Sequence, residues 1–143
     1  MMNAETREFV DEFLPKFVEA ERLIHDGDAQ PRMDLWSRSD PITLLGAKES
    51  GQGWTQLEPL FKKVAGWFSD PISYDFELIA AGASGDLAYI VGYERNELTV
   101  DGQPGTYVLR ATHVFRREDG EWRTVHRHAD LPPEDGVTLL PEK

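Results

Sequence analysis

Three histidines and an arginine near the end of the chain are the residues best placed to do chemistry: His113, and then His126, Arg127 and His128 in succession. An imidazole changes charge near neutral pH, so His113 is a candidate general acid or base, or an orienting hydrogen-bond donor. The alternative is a core histidine satisfied by a neighbour such as a tyrosine hydroxyl. Arg127 could stabilise negative charge developing on a substrate oxygen, and His128 stands beside it as a further candidate. His126 and His128, two residues apart on a strand, could supply half of a metal site. Beyond Asp130 no suitable further ligand is evident, so histidines at a subunit face are the preferred reading, and no metal or other cofactor is assigned. His25, ending an N-terminal helical pattern, is placed by the carbonyl end of that helix. Glu94, Arg95, Glu97 and the run Arg116-Arg117-Glu118-Asp119 read as solvated or interface charge.

The element that positions these groups is a hairpin. Tyr107 to Arg116 and Glu121 to His128 are rich in β-branched and aromatic residues, and Asp119-Gly120 between them suits a tight reversal, because Gly tolerates positive φ. Successive strand residues face opposite ways, so Leu109, Ala111, His113 and Phe115 form one set; as the more apolar set it is expected to face inward. On the second strand, Trp122, Thr124, His126 and His128 oppose Arg123, Val125, Arg127 and Ala129. Alternation alone leaves the inward set open, and a bulge would reverse it for the end of the strand.

Upstream, Phe9, Val10, Phe13, Leu14, Phe17, Val18 and Ile24 recur at helical spacing and predict a long amphipathic helix, kinked at Pro15 or regular only from there. Gly27 ends it, and Asp28 caps a short second helix containing Pro31, Met33, Leu35 and Trp36. Ile42 to Leu45 is a short extended run, followed by a polar loop from Ala47 to Gly53. Thr55 and Glu58 have capping-box spacing for a third helix that runs to about Ser69, where Asp70-Pro71 stops it. Strands follow, with turns at Gly82 to Asp86 and Asp101-Gly102.

On a strand from Leu87 to Leu98, Tyr89, Val91 and Tyr93 oppose Ala88, Ile90 and Gly92. Both sets are apolar, as expected where a partner subunit covers the outer face. Trp36, Trp54, Trp67, Tyr89 and Tyr93, with Leu109, are expected to line an aromatic cavity for a small hydrophobic ligand; the competing reading is plain core.

The chain has 143 residues, no cysteine and a formal net charge of −11. Disulfides, thiolate metal sites and a cysteine nucleophile are excluded, and so much negative charge opposes binding to nucleic acid or an anionic membrane. The opening residues do not resemble a signal peptide and no apolar run is long enough to span a bilayer, so a cytoplasmic protein is expected. One domain over residues 1–143 is expected, with a core over about 5–130 and a loosely packed arm from 131 to 143.

Three helices and then a strand meander, with one early strand between helices, imply an α+β fold: helices on one face of a strongly curved, mainly antiparallel sheet, with a conical cavity between the layers. This order, with the stretch from Thr112 through Asp119-Gly120-Glu121-Trp122 to Val125-His126-Arg127-His128 and Asp130, resembles the SnoaL-like branch of the NTF2-like, ketosteroid-isomerase-like superfamily. It is also similar to the association domain of calmodulin-dependent kinase II, whose closing hairpin shares Asp-Gly-x-Trp followed by Val-His-x-His. The resemblance covers about residues 5 to 130. It implies an NTF2-like conical barrel that homodimerises through the outer face of the sheet, and alignment on the motif favours Arg127 as inward.

For activity the resemblance implies less, since such folds include isomerases, dehydratases, cyclases and non-catalytic modules. The catalytic aspartate of steroid isomerases falls near Thr43 to Leu45, where this chain has no carboxylate. Pocket arginines of the kinase association domain fall on His113 and Ala129. Two functions therefore stand: a non-catalytic ligand-binding or dimerisation module, or a cofactor-independent lyase, isomerase or cyclase acting by proton transfer on a small hydrophobic carbonyl or hydroxyl compound.

Overall fold

Asn3 opens the first helix, α1 (Ala4–Ile24), by accepting a hydrogen bond from the Thr6 amide at 2.9 Å. The computed structural model describes residues 2–133. Phe9, Phe13, Phe17, Ala20 and Ile24 form the buried stripe of α1. The helix is continuous through Pro15 rather than starting there. Pro15 lies on the exposed side, so the Asp11 carbonyl that it leaves without an intrahelical partner can meet water. The short α2 (Gln30–Leu35) begins where the Gln30 amide donates to Asp28 Oδ1 at 3.1 Å.

The third helix, α3 (Trp54–Ala65), starts from Gly53 and has no side-chain cap, so Thr55 and Glu58 do not form the expected box. It stops at Gly66, before Asp70-Pro71. That dipeptide sits within a strand at an irregularity between Ser69 and Ser73, with Asp70 at φ 48°. Positive φ there accompanies two added residues in the ladder, not a helix end.

Six strands form one sheet: β1 (Thr43–Leu45), β2 (Ser50–Gln52), β3 (Phe68–Ser84), β4 (Leu87–Val100), β5 (Gln103–Glu118) and β6 (Glu121–Asp130). Their order is β2-β1-β6-β5-β4-β3, with β1 parallel to β6 and the other pairs antiparallel. The loop expected before α3 thus contains a short strand. The turn expected from Gly82 narrows to Gly85-Asp86, because Gly82 stays paired with Tyr89. A Cβ on Gly82 would lie 2.4 Å from the Tyr89 ring, so the absence of a side chain lets that ring lie across the strand.

A bulge shapes β6. Phe115 pairs with Thr124 and Val114 with His126, leaving Val125 as the extra residue. Trp122 and Thr124 therefore face inward before it, and Arg127 and Ala129 after it. His126 and His128 face outward.

Two apolar clusters fill the helix-covered side of the sheet. One gathers Ile24, Met33, Trp36, Ile42, Leu57 and Phe61; the other gathers Phe9, Phe13, Phe17, Ile90, Phe115 and Trp122. Of the arm expected beyond the core, Leu131 to Pro133 carry no regular structure, and residues 134–143 lie outside the described residues.

Candidate functional site

Between the two clusters lies a buried polar network drawn from α1, α2 and four strands. His113 faces inward from β5, as alternation predicts, and is 1% exposed. Its cross-strand neighbour is Arg127, whose Nη1 donates to His113 Nε2 at 3.0 Å. The same guanidinium grips Glu94 of β4 with both terminal nitrogens, at 2.9 and 2.8 Å, and its Nη1 is 3.5 Å from Glu21 of α1. Glu21 in turn takes two bonds from Arg32 of α2, at 2.7 and 2.5 Å. Tyr74 of β3 donates its hydroxyl to Glu94 at 3.0 Å.

Charge balances within the network: two guanidiniums face two carboxylates, each held bidentately. Such pairing is what makes buried charge tolerable, since desolvation of an unpaired ion costs several kcal/mol, on the order of the whole stability of a domain. Glu94 is 0% exposed. Burial pushes its carboxyl up, but the charge and hydrogen bonds of Arg127 outweigh that and hold it well below the usual carboxylate range. Burial, and then the Arg127 charge, hold His113 well below the ordinary imidazole range. Burial and the Glu94 charge push the Tyr74 hydroxyl well up.

Hydrogen-bond polarity fixes the tautomer of His113. A guanidinium can only donate, so Nε2 is the acceptor and the ring proton sits on Nδ1. Among the described residues Nδ1 is buried without a partner, as are both side-chain polar atoms of Asn96. The basic lone pair of His113 is thus already engaged, which removes it as a general base. What remains is an N–H that can only donate.

His25 is ordered in the same way. Its Nδ1 donates to the Glu21 carbonyl at 2.5 Å and its Nε2 accepts from the Tyr107 hydroxyl at 2.6 Å. The helix-end placement read from the sequence is right; the long-range tyrosine partner was not foreseen.

Glu21, Glu94 and His113 bring three potential metal-ligand atoms within 4.8 Å of one another. The set does not fit an ion, because Arg127 Nη1 lies against all three groups and supplies the cation itself.

The internal space walled by Phe17, Glu21, Trp36, His113, Thr124 and Arg127 measures about 10 Å³. That is room for about one water. Of the residues expected to line a ligand cavity, only Trp36 reaches this space. Leu109 is buried on the inner face, in a separate cluster with Ala111 and Ala129. Trp54 lies under the Arg38 guanidinium, 3.7 Å from the ring centroid, near the start of α3. Trp67 is half-buried beside Phe68, at the corner that follows α3.

Tyr89, Tyr93 and His128 are corrections: all three lie on the outer face, because the inward set of β4 is Ala88, Ile90, Gly92, Glu94 and Asn96 and that of β6 after its bulge is Arg127 and Ala129. Glu94 is the converse error, read as solvated charge and found at the centre of the network. Glu21 and Arg32 were missed altogether. Glu21 had a signal, since it continues the four-residue step of Phe13 and Phe17 along the buried stripe.

Outside the barrel, the sheet carries a groove of about 310 Å³ walled by Tyr93, Arg110, Thr112, His128 and Asp130. It adjoins an apolar depression of about 1330 Å³ that includes Met2, Ile79, Leu87 and Tyr89.

The SnoaL-like domain family matches residues 10–133. No curated protein matches the chain. Among solved structures, an NTF2-like protein of unknown function from Pseudomonas putida is 20% identical with a TM-score of 0.72, covering 100% of this chain and 99% of its own. A candidate calcium/calmodulin-dependent protein kinase type II association domain from Thiobacillus denitrificans is 20% identical with a TM-score of 0.68, covering 88% of this chain and 94% of its own. A candidate dehydratase of the NTF2-like family from Streptomyces avermitilis is 20% identical with a TM-score of 0.65, covering 87% and 95% respectively. At these identities the likeness establishes the fold.

Proposed function

This chain belongs to the SnoaL-like domain family, and within that family we propose that it is a non-catalytic association module, homodimeric through the outer face of its sheet. The observation that carries the reading is the tightness of the barrel at His113: the internal space there measures about 10 Å³, far below the several hundred that small-molecule sites occupy. The charged groups around it are paired with one another, Arg32 with Glu21 and Arg127 with Glu94. His113, the candidate acid/base, has spent its lone pair on Arg127.

The outer face supports the second half of the reading. Ile79 and Leu87 are each 57% exposed and Tyr89 is 44% exposed, clustered in one depression. Contiguous apolar surface of this kind marks interaction sites. The chain carries a net −11, yet on this face Arg95 pairs with Glu77 and Arg110 with Asp130. A second copy of an acidic chain can approach a locally neutral surface without like-charge repulsion.

Light scattering on the purified chain tests the association: a mass of two chains is expected, and a strictly monomeric protein contradicts it. A thermal-shift panel of small hydrophobic carbonyl and hydroxyl compounds tests the closed interior. No saturable stabilisation is expected; a compound that stabilises the protein and perturbs His113 would favour the alternative, a cofactor-independent lyase, isomerase or cyclase.

A further inference from the structure

His126 and His128 stand side by side on the outer face of β6, with ring centroids 6.5 Å apart. His128 walls the polar groove, which shares Ile79 and Thr112 with the apolar depression. A second copy that covers the depression and the adjoining groove would close over His128, with His126 beside it. We infer that His126 and His128 make self-association through this face sensitive to acid, the pair taking protons that a closed interface cannot accommodate. This rests on the homodimer proposed above.

The surroundings decide the sign. From β1, Thr43 and Leu45 flank the pair, and Thr43 Oγ1 is 2.8 Å from His126 Nδ1. From β5, Thr112 and Val114 lie opposite, with Arg110 and Arg116 further along that strand. Beyond them on β4 are Val91, Tyr93 and Arg95, and on β6 itself are Arg123 and Asp130. The carboxylate among these groups, Asp130, is held by Arg110 through bonds of 2.7 and 2.8 Å. Two imidazolium charges per copy would thus add to arginines already present, with no free carboxylate beside them among the described residues. Burial, and then the neighbouring His128, already hold His126 below the ordinary imidazole range, so it is neutral at pH 7.

Overall charge predicts the opposite trend. Acidification reduces the negative charge of the chain and, by itself, eases approach of two copies. Weakening on acidification therefore points to local groups. Sedimentation velocity of the full chain at pH 7.5 and pH 5.5, with circular dichroism to confirm the fold, measures it. The dimer dissociation constant is expected to rise about tenfold or more at the lower pH, a shift of about 1.4 kcal/mol. In the double variant His126→Gln/His128→Gln the rise should fall to about twofold or less. His128→Gln alone, at an exposed position, should give an intermediate rise if the double variant folds poorly. An unchanged or tighter wild-type dimer at pH 5.5, or equal weakening in wild type and variants, overturns the histidine inference. A wild type that is monomeric at pH 7.5 overturns the dimer itself.

Discussion

Arg127 Nη1 lies 3.0 Å from His113 Nε2 while the same guanidinium clamps Glu94, so the most reactive-looking histidine of the chain is a hydrogen-bond acceptor to a permanent cation. A barrel interior built in this way contributes to stability through its buried ion pairs. The consequences are measurable in stability as well as in chemistry.

Glu94→Gln leaves Arg127 buried with half its compensation gone. Removing one partner of a buried pair costs about 3–5 kcal/mol, so denaturant unfolding of this variant should show a loss in that range. The pH dependence follows from the lowered carboxyl. Its contribution is complete above the ordinary value of 4.5 and is lost as pH falls through the depressed folded value. Wild type should lose stability below about pH 4.5, and the variant should lack that component.

Both His25 and His113 are held below the ordinary 6.5, chiefly by burial. The unfolded chain then binds protons that the folded chain refuses, so stability is intact above 6.5 and falls as pH drops below it. Each such histidine contributes a slope approaching about 1.4 kcal/mol per pH unit. His113→Gln should flatten the stability curve between about pH 6 and 5 by one histidine's share, as read from urea unfolding across that range.

Two strand glycines should respond differently to alanine. At Gly92 a Cβ would lie 2.3 Å from the Glu77 carbonyl and 2.7 Å from the Phe76 ring, so strands β3 and β4 must separate. A loss above about 3 kcal/mol is expected for Gly92→Ala. At Gly82 the obstacle is the ring of Tyr89, which is 44% exposed and can swing outward. Gly82→Ala should cost about 1 kcal/mol and perturb Tyr89 fluorescence.

Leu87→Asp on the outer face should abolish dimerisation in light scattering while the stability of the single chain changes by about 0.5 kcal/mol or less, since Leu87 is 57% exposed. Retention of the dimer would place the interface elsewhere.

The order of elements and the closing hairpin were legible because alternation and Asp119-Gly120 are local signals. The inward direction of His113 followed from the same alternation. The network around it was not legible. A lone Glu94 in a strand that also carries Arg95 and Glu97 looks solvated, and only its phase with Ala88, Ile90 and Gly92 marked it as buried. Tyr89 and Tyr93 were drawn to the cavity by their aromatic character, although they have the opposite phase. The bulge at Val125 has no sequence mark of its own; it appears only in how β6 pairs with Phe115 and Val114. Ion pairs between α1 and α2 and between β4 and β6 join residues 11 and 33 positions apart, which local patterning does not connect.

The central claim, an interior whose ion pairs are closed and whose histidine has its basic nitrogen occupied, is tested most directly by nitrogen-15 NMR of the His113 ring. The account predicts a neutral imidazole with its proton on Nδ1, unchanged from pH 8 to pH 5. Titration of that ring near pH 6.5, or a proton on Nε2, would contradict it.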